Sequence, residues 1–174
     1  MKLKTPAGLS TRPTSDRVKE SLFNILSGLI DFAEVGAVLD IFAGTGALGL
    51  EAMSRGARAA TFIDAATTEI IRDNVTRARF DGCTILRGDF EKILGRLARQ
   101  GQTFGLIFSD PPYARGLAEK SLRLVAELNL LNAGGLLIVE HGAEEILNDL
   151  PPTLSFVRKQ IYGHTTVIEI FQRG

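Results

Sequence analysis

Short apolar stretches alternate with amphipathic segments along most of this chain, and this alternation restricts the fold more than any other feature. We predict five strands, at residues 37–42, 59–64, 83–87, 104–109 and 136–140. Helices are predicted after the first four strands, at about 46–55, 67–80, 90–99 and 117–128. Apolar strands separated by helices form a parallel sheet that is covered on both faces. The pattern therefore predicts an α/β fold of the Rossmann-like type.

The two ends of the chain depart from this alternation. Residues 1–13 are predicted to form an extended basic arm, followed by a helix that is capped by Thr14 or Ser15 and runs to about Ile30. Leu154 to Tyr162 and Thr165 to Phe171 are predicted to pair as an antiparallel hairpin at the sheet edge. A length of 174 residues suits one domain, 1–174.

Composition excludes several classes of protein. No apolar run approaches the roughly 20 residues of a membrane helix, and the N-terminus lacks the apolar core of a signal peptide. Cys83 is the only cysteine, so no disulfide framework exists and a cytoplasmic location is expected. One cysteine and two distant histidines leave no spacing typical of zinc ligands, so we expect no bound metal. We also expect the protein to be a monomer.

Charge is balanced overall but uneven along the chain. The formal net charge is zero, which argues against strong nonspecific binding to nucleic acid. Residues 1–20 nevertheless hold five basic and two acidic side chains, a local excess of three positive charges. A basic lobe beside a catalytic cleft would suit a structured RNA, although a solvated N-terminus explains the charge equally well.

Acidic residues follow successive predicted strands, and parallel topology brings them to one edge. They are Asp40, Asp64, Asp89 and Asp110, and Gly44 follows the first of them. The right-handed crossover rule places the carboxyl ends of the parallel strands together, where ligands bind in sheets of this kind. This edge is the predicted functional site.

A glycine turn between the first strand and its helix predicts a nucleotide-type ligand. Gly44-x-Gly46-x-x-Gly49 allows a tight turn and a close backbone approach, and the helix N-terminus presents free N–H groups. Asp64, twenty residues after Gly44, could hold the hydroxyls of a ribose. A lone match of this kind also fits a dinucleotide site. Asp40, four residues before Gly44, favours adenosylmethionine because its carboxylate can face a cationic ligand; a turn-capping role for Asp40 and an ordinary strand-end role for Asp64 stay open.

The tetrapeptide Asp110-Pro111-Pro112-Tyr113 follows the strand that begins at Phe104, and its chemistry suits a planar amine. The Asp110 carboxylate can accept hydrogen bonds from an exocyclic NH2 group. Pro112 holds Pro111 extended, so that the Pro111 carbonyl becomes a second, rigid acceptor. Tyr113 offers a flat face for a base, a contact that contributes about 1–3 kcal/mol. A proline strand terminator beside a surface tyrosine is the alternative interpretation.

Together these motifs resemble class I adenosylmethionine-dependent N-methyltransferases. The leader Arg12-Pro13-Thr14-Ser15-Asp16-Arg17, with its continuation to Leu26, resembles the bacterial 16S ribosomal RNA guanine-N2 methyltransferases of the RsmD family. The segment from Phe42 to Ala52 and the Tyr162-Gly163 turn resemble the same family. Members usually carry a longer basic stretch before the segment Leu3-Lys4-Thr5-Pro6. The resemblance implies a seven-stranded sheet whose last strand is antiparallel.

The resemblance also implies site residues for methyl transfer to a guanine N2 amine of 16S ribosomal RNA. The catalytic group is Asp110, Pro111, Pro112 and Tyr113. S-adenosyl-L-methionine, which leaves as S-adenosylhomocysteine, is expected against Asp40, Phe42, Ala43, Gly44, Thr45, Gly46, Asp64, Asp89 and Phe90. Phosphates of the RNA or of the assembled small subunit are expected at Arg12, Arg17 and Arg115.

Two other functions stay open at the level of sequence. The proline clamp alone does not separate guanine N2 from adenine N6 or from other amines of RNA, DNA or protein. A noncatalytic adenosine-ligand module or an NAD-binding module is the alternative from a different class. His141, after the fifth strand, is interpreted as structural rather than catalytic, and His164 as a surface residue.

Overall fold

Seven strands form one sheet in the computed structural model, which describes residues 3–5, 7 and 13–174. The strands are β1 (Ala37–Ile41), β2 (Ala59–Asp64), β3 (Cys83–Arg87), β4 (Phe104–Ser109), β5 (Leu131–Gly142), β6 (Leu154–Tyr162) and β7 (Thr166–Arg173). The helices within the described residues are α1 (Pro13–Ser27), α2 (Phe32–Val35), α3 (Ala47–Ser54), α4 (Thr68–Ala78), α5 (Phe90–Arg99) and α6 (Leu117–Glu127).

The strand order is β3-β2-β1-β4-β5-β7-β6. Strands β1 to β5 are parallel to one another, whereas β7 is antiparallel to both β5 and β6. The predicted Rossmann-like fold with an antiparallel C-terminal strand is therefore confirmed. From β1 the chain adds β2 and β3 on one side of the sheet, and it then adds β4 and β5 on the other side. The strand order therefore reverses between β1 and β4, and ligands of open α/β sheets bind at such a switch point.

The sheet buries both faces, which explains why its central strands are apolar at nearly every position. One face packs against α1, α3 and α4, with Phe23, Leu26 and Phe62 fully buried. The other face packs against α5 and α6, with Leu94 and Ile107 fully buried. No helix in the described part of the chain is long and apolar enough to cross a membrane.

Some predicted boundaries were wrong. Helix α1 already begins at Pro13, so Thr14 and Ser15 lie inside its first turn instead of capping it. Proline suits this position because its fixed φ is helical and its missing N–H would have no helical partner. The helix ends at Ser27, before Gly28, rather than at Ile30.

Strand β5 is longer than predicted. It extends over Leu131–Gly142, because antiparallel pairing with β7 continues to Gly142 and parallel pairing with β4 already begins at Leu131. The short helix α2 was not predicted; Asp31 caps it by accepting a hydrogen bond from the Ala33 N–H at 3.0 Å.

Part of the predicted N-terminal arm is docked on the domain. The backbone N–H and carbonyl of Lys4 both hydrogen-bond the side chain of Asn74 on α4, at 2.7 and 3.1 Å. Leu3 packs against the core on the same side. Residues 1, 2, 6 and 8–12 of the predicted arm lie outside the described residues.

Candidate active site

One cavity of about 440 Å³ brings the glycine turn and the proline clamp together at the carboxyl ends of the strands. Phe42, Ala43, Gly44 and Thr45 line it together with Asp110 and Tyr113, and Asp40 and Glu140 line it as well. The predicted site residues Gly46, Pro111 and Pro112 are not part of its lining. The volume falls in the range of ordinary small-molecule sites.

The glycine turn is shaped by backbone conformations that side chains rarely adopt. Gly44 and Gly46 have φ values of 59° and 80°, and Gly46 precedes the first residue of α3. Gly49 is required for another reason. A Cβ atom there would lie 2.5 Å from the ring of Phe62, and the Gly49 N–H donates to Asp40 Oδ2 at 2.9 Å.

Asp40 is a buried carboxyl group on the cavity wall, with 1% of its surface exposed. Burial raises its pKa to about 7. The hydrogen bond from Gly49 opposes this shift, and the negative charge of Asp64 adds to it. A cationic ligand in the cavity would favour the ionised form of Asp40, because an opposite charge stabilises a buried carboxylate.

Asp64 is placed differently from Asp40, since it does not line the cavity that holds the clamp. Its Oδ2 accepts from the Gly44 N–H at 3.0 Å, and its Oδ1 accepts from Ala66 and Thr67 at 2.8 and 2.9 Å. Partial burial would raise its pKa, but these backbone donors outweigh it and hold the pKa below the ordinary value. Asp64 thus holds the glycine turn through the backbone N–H of Gly44.

Asp89 and Phe90 also lie outside this cavity. Asp89 caps α5, where its side chain accepts from the Lys92 N–H at 3.1 Å. Phe90 is buried, and its ring centroid lies 4.7 Å from that of Phe42. Phe42 itself has a φ of 60°, a strained conformation for an aromatic residue. The pair joins the cavity wall to the start of α5.

The proline clamp presents an acidic group beside a tethered aromatic ring. Burial raises the pKa of Asp110 well above its ordinary value, and the charges of Glu140 and Asp40 act in the same direction. Pro111 is buried and Pro112 is exposed. Ser109, the last residue of β4, is fixed to Ser121 of α6 by a hydroxyl contact of 2.6 Å. This contact anchors the strand end from which the clamp projects.

Tyr113 is held by two neighbouring strands. Its hydroxyl donates to Glu140 Oε1 at 2.6 Å and lies 3.0 Å from Thr166 Oγ1. A Cβ atom at Gly142 would come within 3.3 Å of the Tyr113 ring, so the glycine makes room for it. Burial and the bond to Glu140 raise the pKa of Tyr113 beyond its ordinary value, which keeps the phenol neutral.

Several cavity residues were not predicted from the sequence. Ser109 of β4 pairs with Val139 of β5, and the next residues along the chain are Asp110 and Glu140. Glu140 is therefore expected beside Asp110. The rule that sites form at strand ends could have identified it. The roof over the cavity comes from α1 and from the β6–β7 hairpin, and it consists of Asp16, Val18, Lys19, Leu22, Tyr162, Gly163, Thr165, Thr166 and Ile168. Ser21 Oγ and the Tyr162 hydroxyl, 2.9 Å apart, join the two parts of this roof.

The proposed phosphate contacts are not part of the cavity. Arg17 is exposed on α1, in a shallow groove that it shares with Arg158 of β6. Arg115 is exposed in the turn after the clamp. Arg12 lies outside the described residues.

The two histidines lie away from the cavity. His141 is buried on β5, with Nδ1 2.9 Å from the Gly142 carbonyl and Nε2 3.4 Å from Glu169. His164 is exposed in the hairpin turn. Within residues 3–5, 7 and 13–174, no group of three His, Cys, Asp or Glu side chains could hold a metal ion.

Comparison with known proteins adds relatives that cover nearly the whole chain. The chain is 37% identical over 99% of its length to the protein named "Putative rRNA methyltransferase YlbH" of Bacillus subtilis, and covers 94% of it. It is 35% identical over 99% of its length to ribosomal RNA small subunit methyltransferase D of Escherichia coli K12, and covers 84% of that protein.

Solved structures agree with these relatives. The "Putative methyltransferase yhhF" of Escherichia coli superposes with a TM-score of 0.84 at 35% identity, covering 99% of this chain and 92% of that chain. At the level of fold alone, "SMU.776, a putative methyltransferase complexed with SAH" has a TM-score of 0.70 at 17% identity. The superposition covers 91% of this chain and 49% of that chain.

The family model described as conserved hypothetical protein 95 matches residues 1–171. The cavity, the fold and these matches agree with the resemblance drawn from the leader, the glycine turn and the clamp. The chain belongs to this family, which is the RsmD family, within the class I adenosylmethionine-dependent methyltransferase fold.

Proposed function

We propose that this chain is an adenosylmethionine-dependent methyltransferase that methylates the exocyclic N2 amine of a guanine in 16S ribosomal RNA. One observation carries the proposal: Gly44 and Thr45 of the glycine turn line the same cavity as Asp110 and Tyr113, the first and last residues of the clamp. A methyl donor and an amine acceptor could therefore meet without rearrangement of the sheet. The names of the relatives support RNA of the small ribosomal subunit as the substrate.

The charge of the cavity fits this cofactor better than it fits a dinucleotide. Of the residues that the structure describes, four acidic ones line it, namely Asp16, Asp40, Asp110 and Glu140, against one cation, Lys19. Lys19 Nζ also lies 3.7 Å from Glu51 Oε2, and this ion pair offsets part of its positive charge. The cationic groups of adenosylmethionine would be stabilised here, whereas the pyrophosphate of NAD would be repelled. When bound, adenosylmethionine supplies a methyl group that is already activated on a sulfonium.

Residues of the glycine turn would hold the cofactor. Asp40 would face its cationic groups, and the backbone from Phe42 to Gly46 would pass beneath its methionine part. Asp64 would bind the ribose, and Asp89 and Phe90 would contact the adenine. Because Asp89 and Phe90 lie beyond the clamp cavity, the adenine would extend from the cavity along the sheet edge towards α5.

The clamp would orient the amine. The N2 lone pair of guanine is delocalised into the ring, which makes it a poor nucleophile. The Asp110 carboxylate and the Pro111 carbonyl would accept the two amine hydrogens and direct the lone pair at the methyl carbon, so that catalysis is largely positioning. A base extruded from the RNA would stack on Tyr113.

Asp110 could also receive the proton that the amine loses. As the new C–N bond forms and the C–S bond breaks, the nitrogen becomes positively charged and releases one proton. The raised pKa of Asp110 makes its carboxylate a better proton acceptor than an ordinary aspartate. Water would then carry the proton away from the mouth of the cavity.

The RNA would approach across the face that carries α1 and the hairpin. Arg17 on α1 and Arg115 in the turn after the clamp are exposed and would contact phosphates, as would Arg12. We propose that the protein acts as a monomer in the cytoplasm, where ribosomal subunits are assembled.

Labelled methyl transfer tests this function. Small ribosomal subunits that lack the modification are incubated with the protein and labelled adenosylmethionine, and the RNA is digested to nucleosides. The expected product is N2-methylguanosine at one position. Label on another nucleoside, or no label in RNA, would contradict the proposal. Titration calorimetry with adenosylmethionine and with NAD separates the methyltransferase from an NAD-binding module.

A further inference from the structure

A second carboxylate stands next to the clamp. Ser109, the last residue of β4, pairs in register with Val139 of β5, so the residues that follow them along the chain are Asp110 and Glu140. Both side chains line the cavity, and the charge of Glu140 acts on Asp110. An amine held by Asp110 would therefore have its neighbouring ring atom close to Glu140.

Glu140 keeps hydrogen-bonding capacity for a ligand. Its Oε1 accepts the single hydrogen of the Tyr113 hydroxyl, so the Thr166 hydroxyl must donate to Tyr113 instead. Among the described residues Glu140 makes this hydrogen bond through Oε1, and its Oε2 stays accessible to solvent in a side chain that lines the cavity. A base that brings an N–H donor could replace a solvent molecule at this oxygen.

The bases that carry an exocyclic amine differ at the atom beside that amine. In guanine the N2 amine is flanked by N1–H, a donor. In adenine and cytosine the corresponding ring nitrogen, N1 or N3, is an acceptor with a lone pair. Two adjacent carboxylates can accept from the N2 amine and the N1–H of guanine. They would repel the lone pair on the ring nitrogen beside the amine of adenine or cytosine.

We propose that Glu140 selects guanine by accepting its N1–H while Asp110 accepts from the N2 amine. This inference rests on the proposed function and adds to it a residue that distinguishes guanine from the other amine-bearing bases. Glu140 also holds Tyr113 in place, so the test must separate recognition of the base from support of the aromatic ring.

The base analogue 2-aminopurine makes this separation. It retains the N2 amine, but its N1 carries a lone pair instead of a hydrogen. Once the methylated guanine has been mapped, small-subunit RNA is ligated from fragments with guanine or 2-aminopurine at that position. The kcat/KM for methyl transfer is then measured with the unaltered protein, with Glu140→Gln and with Thr166→Val.

The unaltered protein is expected to prefer guanine over 2-aminopurine by roughly 10- to 100-fold. Glu140→Gln, whose amide can donate to a ring nitrogen, should lose activity on guanine and bring the ratio of the two substrates close to one. Thr166→Val removes the other contact of the Tyr113 hydroxyl and leaves the carboxylate, so it should lower both activities by the same factor. A substitution that lowers kcat/KM equally on guanine and on 2-aminopurine does not act through recognition of the base.

Two outcomes would overturn the inference alone: equal methylation of both substrates by the unaltered protein, or a ratio that Glu140→Gln leaves unchanged. The second result would assign Glu140 to holding Tyr113. If the unaltered protein methylates no guanine at all, the proposed function has failed and the inference fails with it.

Discussion

Gly49 and Asp40 form the smallest unit on which the site depends. The Gly49 N–H donates to the Asp40 carboxyl, and the absent Cβ of Gly49 leaves room for the ring of Phe62. Their spacing in the sequence suggested a turn and an acid facing a ligand. It did not reveal that the third glycine is needed for packing, because that requirement comes from a strand that is distant along the chain.

Gly49→Ala is expected to destabilise the protein by about 1–3 kcal/mol, because the new methyl group would overlap Phe62. Gly95→Ala on α5 is the matched control. Its Cβ would meet only the end of Arg99, at 3.5 Å, so the helix should gain about 0.5–1 kcal/mol. Urea unfolding measures both changes. Equal effects of the two substitutions would contradict the packing role of Gly49.

Asp40 makes the stability of the ligand-free protein depend on pH. Its pKa rises from 3.8 to about 7 on folding, so between these values the folded protein keeps a proton that the unfolded chain has released. The contribution of Asp40 to stability therefore falls as the pH rises through this window. The negative charge of Asp64 adds to this shift, and the charge of Asp40 in turn acts on Asp110.

Asp40→Asn should remove this part of the pH dependence. Between about pH 5 and about pH 8, the variant is expected to gain stability relative to the unaltered protein. Urea unfolding of both proteins at the two pH values gives the difference. If the two proteins show the same dependence on pH, Asp40 does not carry a raised pKa in the folded state.

At the scale of elements, α4 connects the N-terminal segment with the glycine turn. The Asn74 side chain is fully buried and donates to the carbonyl of Thr45 at 3.0 Å, in addition to its two bonds with Lys4. Helix α4 was predicted at about 67–80, and Ile71 on it is fully buried. Asn74 was not predicted, since a polar residue in an amphipathic helix is ordinarily assigned to solvent.

Asn74→Ala should loosen both the N-terminal segment and the glycine turn. It removes three hydrogen bonds at a buried position and is expected to cost about 2–3 kcal/mol. The affinity for adenosylmethionine should fall with it, because Thr45 lines the cavity. Asp73→Ala is the control: it removes only an exposed ion pair with the same Lys4.

Unfolding midpoints and calorimetry measure both consequences of the Asn74 substitution. Little change is expected for Asp73→Ala. An Asn74→Ala variant with normal stability and normal cofactor affinity would show that the bridge to Thr45 has no influence on the site.

The roof of the cavity, formed by α1 and the β6–β7 hairpin, could not be predicted from the pattern of strands. The hairpin and the first helix were predicted as elements, but no periodicity indicates that residues of α1 line the cavity. Its placement depends on tertiary contacts, such as the one between Ser21 and Tyr162. Residues such as Lys19 and Leu22 were therefore identified as cavity residues only in the folded structure.

At the scale of the whole molecule, the parallel sheet made much of the site predictable. Strand ends of a parallel sheet meet at one edge, so Asp40, the glycine turn and Asp110 could be assigned to a common site before any contact was known. The same rule could not say which acids enter the cavity. Asp64 binds three backbone N–H groups and Asp89 caps a helix, and both uses depend on local turns.

The most direct test of the central claim separates cofactor binding from methyl transfer in Asp110→Asn. The asparagine keeps the shape of the clamp but loses one acceptor and the ability to take up a proton. Adenosylmethionine should bind with nearly normal affinity by calorimetry, while the rate of transfer to guanine in the small subunit falls at least about 100-fold. Transfer at the normal rate, or loss of cofactor binding together with transfer, would contradict the account.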